Sequence, residues 1–196
     1  MATSITVHFD YRSPFAYFAA RLLPAVAARH AADLVWKPID LQGLSNFANG
    51  MPYSPSKRAY VFVDATRAAE FHGIPIQMPT PFPVESGMAL RLAVVAAQRG
   101  RFAEVHEALF DAAWRDQQDL SSDDVLARCV PADAGDPSDW LRDARSDATG
   151  NALARSTQEA EDAGVFGVPT MIVGGEPFWG IDTIPVLEWR LRGGVH

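Results

Sequence analysis

Ser13 followed by Pro14 stands where an alternating segment, Ser4 to Asp10, runs into the apolar stretch Phe15 to Ala20. The pattern is that of a helix start. A serine side chain accepts from a free first-turn N–H, and a proline at the first helical position has no N–H to leave unpaired. The free N–H groups and the helix dipole also stabilise an anion held against them. Three roles are open to such a serine. It can cap the helix and do nothing more. It can act as a nucleophile, although the chain has no G-x-S-x-G elbow and the sequence places no histidine as its base. Or its hydroxyl can donate to the thiolate of a bound small thiol. A thiol of pKa ~8.5 is only a few per cent ionised at neutral pH, and lowering it by about 2 units takes about 2.7 kcal/mol. One hydrogen bond to a charged acceptor contributes about 1.5–3 kcal/mol and a helix terminus about 0.3–1 more, so the two together suffice. Ser13-Pro14-Phe15-Ala16 contains no sulfur, which excludes disulfide exchange through this motif. A second candidate is the loop G-V-F-G-V-P-T-M-I-V, in which Val168-Pro169-Thr170 enters a strand; from the residues alone Pro169 is an ordinary strand-entry proline.

Composition narrows the classes. The chain has 196 residues, 48% of them hydrophobic and 21% charged, which fits a soluble globular protein and excludes disorder and fibrous repeats. A net charge of -7 with no basic run argues against nucleic acid as a partner. The single cysteine, Cys129, forms neither an intrachain disulfide nor a Cys-Cys metal pair, so no zinc or iron-sulfur site is expected. The opening residues alternate instead of forming a signal-peptide core, and apolar runs stop far short of the ~20 residues that cross a bilayer. A cytoplasmic protein without membrane contact is the expectation.

The elements that must position these residues follow from periodicity. Residues 4–10 read as a strand, the Ser13-Pro14 helix follows, and 34–39 read as a second strand, giving a parallel β-α-β unit. From about residue 41 the pattern is helical: Lys57 to His72, stopped by Gly73 and Pro75, then a connector with Pro75, Pro79, Pro81 and Pro83, then Arg101 to Asp116 with a 3.6-residue apolar stripe. Helices are expected to start at Ser121 and Ser138, and another spans Asn151 to Ala163, closed by Gly164. Strand pattern returns in P-T-M-I-V and P-F-W-G, followed by a short amphipathic helix for which Asp182 is the expected N-cap. The plan is β-α-β, a helical block, then β-β-α: residues 1–40 and 165–196 form one domain, and residues 41–164 a helical insertion.

Five motifs carry a family likeness: F-D-Y-R-S-P-F-A-Y, the run from Asn49 through Lys57 and Tyr60 to Asp64, P-T-P-F-P, G-V-F-G-V-P-T, and F-W-G-I-D. In this order and spacing they resemble the 2-hydroxychromene-2-carboxylate isomerases. These group with the kappa-class glutathione transferases in a thioredoxin-fold set related to disulfide-bond oxidoreductases, where the reactive cysteine of C-x-x-C occupies the place of Ser13. The resemblance implies an α/β thioredoxin-like domain with a large all-helical insertion, a homodimer, and glutathione as cofactor. It implies that Ser13 holds the glutathione thiolate and that the Val168 backbone, before a cis Pro169, pairs with the cysteinyl part. Asp182 would accept from the γ-glutamyl ammonium, and Asn49 and Lys57 would line the site.

Each role has a plainer competitor. Asp182 caps a helix in either case, Asn49 precedes a Gly50 turn, and Lys57 sits in a first turn where a cation opposes the helix dipole. Phe15, Tyr17 and Trp179 either wall an aromatic-substrate pocket or belong to the core. Two departures stand out: the family's usual glutamine and arginine around Asp182 are Ile181 and Thr183 here, and Arg12 replaces an apolar residue, placing a cation expected at the pocket mouth. The implied reaction interconverts 2-hydroxychromene-2-carboxylate and trans-o-hydroxybenzylidenepyruvate by thiolate addition, bond rotation and elimination, with Lys57 or Arg12 facing the small aromatic substrate's carboxylate. The alternatives are a kappa-like glutathione transferase or peroxidase, and a non-enzymatic binding protein of the same fold.

Overall fold

The computed structural model describes residues 3–50 and 52–194. Strand β1, Thr3–Phe9, leads through a short loop into helix α1, Pro14–His30, and then β2, Ala32–Pro38. The strands pair in parallel from Thr3 opposite Ala32 to Phe9 opposite Pro38. After the helical segment, β3 (Thr170–Val173) returns antiparallel to β1, and β4 (Glu176–Trp179) pairs antiparallel with β3. The sheet order is β2-β1-β3-β4, the thioredoxin arrangement.

Alternation in β1 explains how the sheet is covered. Ile5 and Val7 point into a core closed by Ala19, Leu23 and Val26 of α1 and by Leu187 of the last helix, α8 (Ile184–Leu191). Phe9, on the same face, continues into a second core built by α3 (Gly87–Gln98), α4 (Phe102–Trp114), α5 (Asp123–Arg128) and α6 (Pro137–Arg145). The opposite face rests on Ile39, Leu41, Phe47, Val165 and, from α7 (Asp147–Asp162), Ala160. The end of β1 is therefore fixed from both sides. Helix α2, Pro55–His72, behaves differently: of its residues only Ala65 is fully buried.

Several boundaries differ from the sequence expectation. Helix α7 begins at Asp147 instead of Asn151, because the Ser146 side chain caps it by accepting the Thr149 N–H at 3.2 Å. Gly150 lies inside that helix for a packing reason: a Cβ there would stand 2.7 Å from the Arg91 guanidinium, which donates to the Ala144 carbonyl. Helix α6 is capped by Asp136, not Ser138, and α5 starts at Asp123. Asp182 does not cap α8. It lies in a 3-10 turn, Ile181–Thr183, and Thr183 precedes the helix with its hydroxyl donating to the Gly180 carbonyl at 2.8 Å.

Two histidines are held neutral inside this structure. Burial lowers His106, enclosed by Phe9, Trp36, Phe102 and Phe110, from 6.5 to about 3, and lowers His8 to about 4. The unfolded chain takes up these protons first, so the histidine contribution to stability is full above pH 6.5 and is lost as pH falls toward 4 and 3. Asp10, raised by burial, acts in the opposite sense above its unfolded pKa. Replacing His106 by Phe should make the acid-side fall of unfolding free energy shallower in urea titrations between pH 6.5 and 4. An unchanged slope would show that His106 has no part in it.

Candidate active site

The β1–α1 loop is short and buried, so its polar groups must find partners inside the protein. The Ser13 N–H donates to the Asp10 carbonyl at 3.1 Å. The Tyr11 carbonyl accepts from Trp114 Nε1 at 2.8 Å, and the Tyr11 hydroxyl meets His106 Nδ1 at 3.1 Å. Thus α4, deep in the helical core, fixes the loop that presents Ser13. The serine caps α1, its Oγ accepting the Ala16 N–H at 3.2 Å, while its hydroxyl proton goes to the Val168 carbonyl at 3.3 Å. The Phe15 N–H has no carbonyl to meet within the helix.

Val168–Pro169 is cis. Its loop is held by Thr170 Oγ1 donating to the Gly167 carbonyl at 2.7 Å and by the Gly180 N–H donating to the Pro169 carbonyl at 2.9 Å. Two segments distant in sequence thus meet at one hydrogen bond, Ser13 to Val168, at the head of a cleft of about 1180 Å³. The cleft runs along α1 between α2 and the start of α8.

Ser13, Phe15, Lys57, Val168, Pro169, Trp179, Asp182 and Arg12 all line it. Trp179, 40% exposed, stands against Phe166 with ring centroids 5.1 Å apart, and a Cβ on Gly167 would lie 2.8 Å from its indole nitrogen. Asp182, released from capping, is exposed and has no side-chain hydrogen bond among the described residues. The Lys57 ammonium lies 4.1 Å from the centre of the Tyr53 ring. Arg12 lies in the cleft wall, not at its mouth, and is only 8% exposed. Two expected residues lie elsewhere. Tyr17 is core: its hydroxyl donates to the Pro75 carbonyl at 2.9 Å and its ring faces Arg21. Asn49 sits in an exposed turn away from the cleft, because the backbone turns at Gly50 with φ of 89°.

Sequence reasoning did not identify Phe47, Tyr53, Phe62 and Phe82 as walls, nor Asp10 and Tyr11 as supports. For Tyr53 and Phe82 the neighbouring prolines were the available signal; Phe47 and Phe62 carried none. Six basic residues line the cleft (Arg12, Arg21, Arg29, Lys57, Arg58 and Arg67) against two acidic ones, Asp64 and Asp182, in a chain of net charge -7. Arg21 is paired with Glu107 and Asp111, and Arg29 with Glu188; no ion pair forms at Lys57, Arg58 or Arg67 among the described residues. This charge distribution suits an anionic ligand. Among the described residues no cluster of His, Cys, Asp and Glu is arranged to hold a metal, and no helix is long and apolar enough to cross a membrane. Cys129 is buried in the helical core, and burial raises its thiol to about 11.

A DSBA-like thioredoxin domain model matches residues 4–192. The chain belongs to the DSBA-like thioredoxin family. This DSBA-like chain is 30% identical to 2-hydroxychromene-2-carboxylate isomerase of Pseudomonas sp. (strain C18), over 96% of its own length and 90% of that protein. It is likewise 30% identical to the protein of that name from Sphingobium xenophagum, over 96% and 97%. A solved structure of 2-hydroxychromene-2-carboxylate isomerase superposes with a TM-score of 0.83 at 25% identity, covering 97% of this chain and 95% of that one. The resemblance carried by the five motifs holds, and so does the expected fold class.

Gly180 links the sheet to Asp182 through a φ of 85°, and a Cβ there would collide with the Asp182 carboxylate. Gly180→Ala should cost about 1–3 kcal/mol of stability, because φ of 85° with ψ of 160° is a backbone region that essentially only glycine adopts, and should change the fluorescence of neighbouring Trp179. Denaturant unfolding and emission spectra check both; a variant matching the parent in both would show that the turn adapts freely.

Proposed function

We propose that the protein is a glutathione-dependent cis-trans isomerase that interconverts 2-hydroxychromene-2-carboxylate and trans-o-hydroxybenzylidenepyruvate, in the breakdown of aromatic compounds. The observation that carries this reading is the meeting of Ser13, at the head of α1, with the backbone of Val168 before cis-Pro169, inside a cationic cleft walled by aromatic side chains. The curated relatives named for this activity support it.

The residues present suit glutathione. Cys129, with its thiol raised to about 11 and buried away from the cleft, is no source of thiolate, so a reactive sulfur has to be brought in. The Ser13 hydroxyl has one proton, now held by the Val168 carbonyl. A ligand amide that donates to that carbonyl releases the proton for a thiolate beside it, and the free Phe15 N–H adds a second donor. Asp182, with no other side-chain partner, accepts an ammonium at the far end, which offsets the loss of the family's glutamine and arginine at Ile181 and Thr183. When bound, glutathione would supply a thiolate. The hemiketal C–O bond of the chromene would open to phenol and enone, the hemiketal proton passing to the phenol oxygen. Addition of the thiolate to the enone would leave a single bond free to rotate, and its departure as thiolate would restore the double bond in the trans form. Phe15, Trp179 and Phe82 hold the aromatic part of the substrate, and Lys57, extended over Tyr53 at the cleft edge, faces its carboxylate. A homodimer belongs to the same reading: α2 exposes Val63 outside the cleft and Tyr60 and Phe71 along the cleft's open side, and a second copy seated on α2 would cover them. A kappa-like transferase or peroxidase would instead consume glutathione.

Calorimetric titration of glutathione, beside turnover of the chromene, tests this. Removing a hydrogen bond to a charged acceptor, about 1.5–3 kcal/mol, should make Ser13→Ala roughly 10- to 150-fold slower while it stays folded. Asp182→Ala should weaken glutathione binding. Turnover should continue with glutathione far below substrate concentration. No binding by the parent protein, or stoichiometric loss of glutathione, would remove the isomerase reading.

A further inference from the structure

Three stretches of chain wall the cleft around Ser13: the β1–α1 loop, the segment after β2 carrying Leu41 and Phe47, and the proline connector carrying Phe82 and Pro83. One buried pair joins them. Asp10 Oδ1 accepts the Arg12 N–H at 2.9 Å, and Oδ2 accepts the Leu41 N–H at 3.0 Å. Arg12 Nε donates to the Val84 carbonyl at 3.1 Å, one residue past Pro83. Asp10 is fully buried. Burial raises its carboxyl above the ordinary value, against the opposing pull of Arg12, Ser86 and the two N–H groups.

A counter-ion for Asp10 would turn its guanidinium edge to the carboxylate in a short, two-pronged contact. Arg12 does not. Its Nη1 stands 4.0 Å from Asp10 Oδ2 and 3.9 Å from Asp40 Oδ1, buried and without a hydrogen-bond acceptor. The contact that orients the group is the one to Val84, which addresses the connector. The geometry points to Arg12 as a positioning residue: by holding Val84 it sets the gap between Ser13 and the Phe82–Pro83 wall, and with it the slot in which an aromatic substrate lies beside the thiolate. Arg12 therefore acts through the cleft wall and not by touching the substrate, which leaves the carboxylate to Lys57. This inference rests on the isomerase reading for its kinetic consequence, though not for the tether itself.

The test compares Arg12→Met with the double variant Asp10→Asn/Arg12→Met. The single variant strands Asp10 without a counter-charge and cuts the tether; the double variant removes the stranded charge but leaves the tether cut. Arg12→Met should lower the unfolding midpoint and reduce kcat/KM for the chromene at least tenfold, mainly in kcat, with glutathione affinity changed less than threefold. In the double variant the midpoint should recover only in part, since an amide can accept from just one of the Arg12 and Leu41 N–H groups that the carboxylate holds, while kcat stays low. Recovery of parental kcat together with stability would make Arg12 a mere counter-ion and overturn the proposal. Amide resonances of Ser13, Phe15 and Val84 give a readout independent of turnover: they should shift in both variants, and unmoved resonances would also overturn it. If the parent protein fails to isomerise the chromene with glutathione, the functional reading falls, and the resonances still decide the tether.

Discussion

A buried loop must satisfy its own polar groups, and the geometry of the cleft depends on how the four residues from Asp10 to Ser13 do so. None of the partners is optional, because an unpaired buried polar group costs about 1–3 kcal/mol. The Tyr11 carbonyl is taken by Trp114, its hydroxyl by His106, the Asp10 carboxylate by the Arg12 and Leu41 N–H groups, and the Arg12 side chain by Val84. Every one of these bonds except that within the loop reaches into or beside the helical segment. The helices between β2 and β3 therefore do more than occupy an insertion point: they fix the residue that stands at the head of α1.

Once that loop is fixed, the chemistry of Ser13 follows from where its proton goes. The hydroxyl accepts from the helix N-terminus and donates to a backbone carbonyl beside a cis-proline, so it is polarised toward giving a hydrogen bond and has no base to take its proton away. The histidine that contacts the loop through the Tyr11 hydroxyl, His106, is held neutral in an aromatic cage. A serine in this setting suits stabilising an external anion better than attacking an electrophile. The sign of the cleft agrees: basic side chains concentrate there in an otherwise acidic chain, and three of them carry no ion pair among the described residues.

Helix α2 sets the character of the outer cleft. Its helical form comes from local signals, a Ser54 cap accepting the Lys57 N–H at 3.2 Å and a left-handed Gly73 at its end. Packing contributes little, since only Ala65 is fully buried. A helix secured at its ends but weakly along its length leaves room for ligand against it, and its exposed Tyr60 and Phe71 form part of the cleft wall.

What the amino-acid sequence determined by itself was the part governed by short range. Strand alternation in β1, the Ser13-Pro14 start, the Gly73 and Gly164 stops and the strand after Pro169 all depend on neighbours a few residues away, and each lies where local chemistry places it. Tertiary structure decided the rest. Gly150 lies before the helix start that the local pattern suggests, yet the Ser146 cap carries the helix through it, and its missing side chain leaves room for Arg91 from α3. Asp182 reads as a cap, yet a 3-10 turn releases its carboxylate to the cleft. Tyr17 and Phe15 are two residues apart on one helix, and only packing sends the first to the Pro75 carbonyl and the second to the cleft wall. Arg12 shows the limit most plainly. Its charge was legible, but its partners beyond the loop, Asp40 and Val84, lie 28 and 72 residues away, and such distances are set by how separate cores close on one another, which no local pattern records.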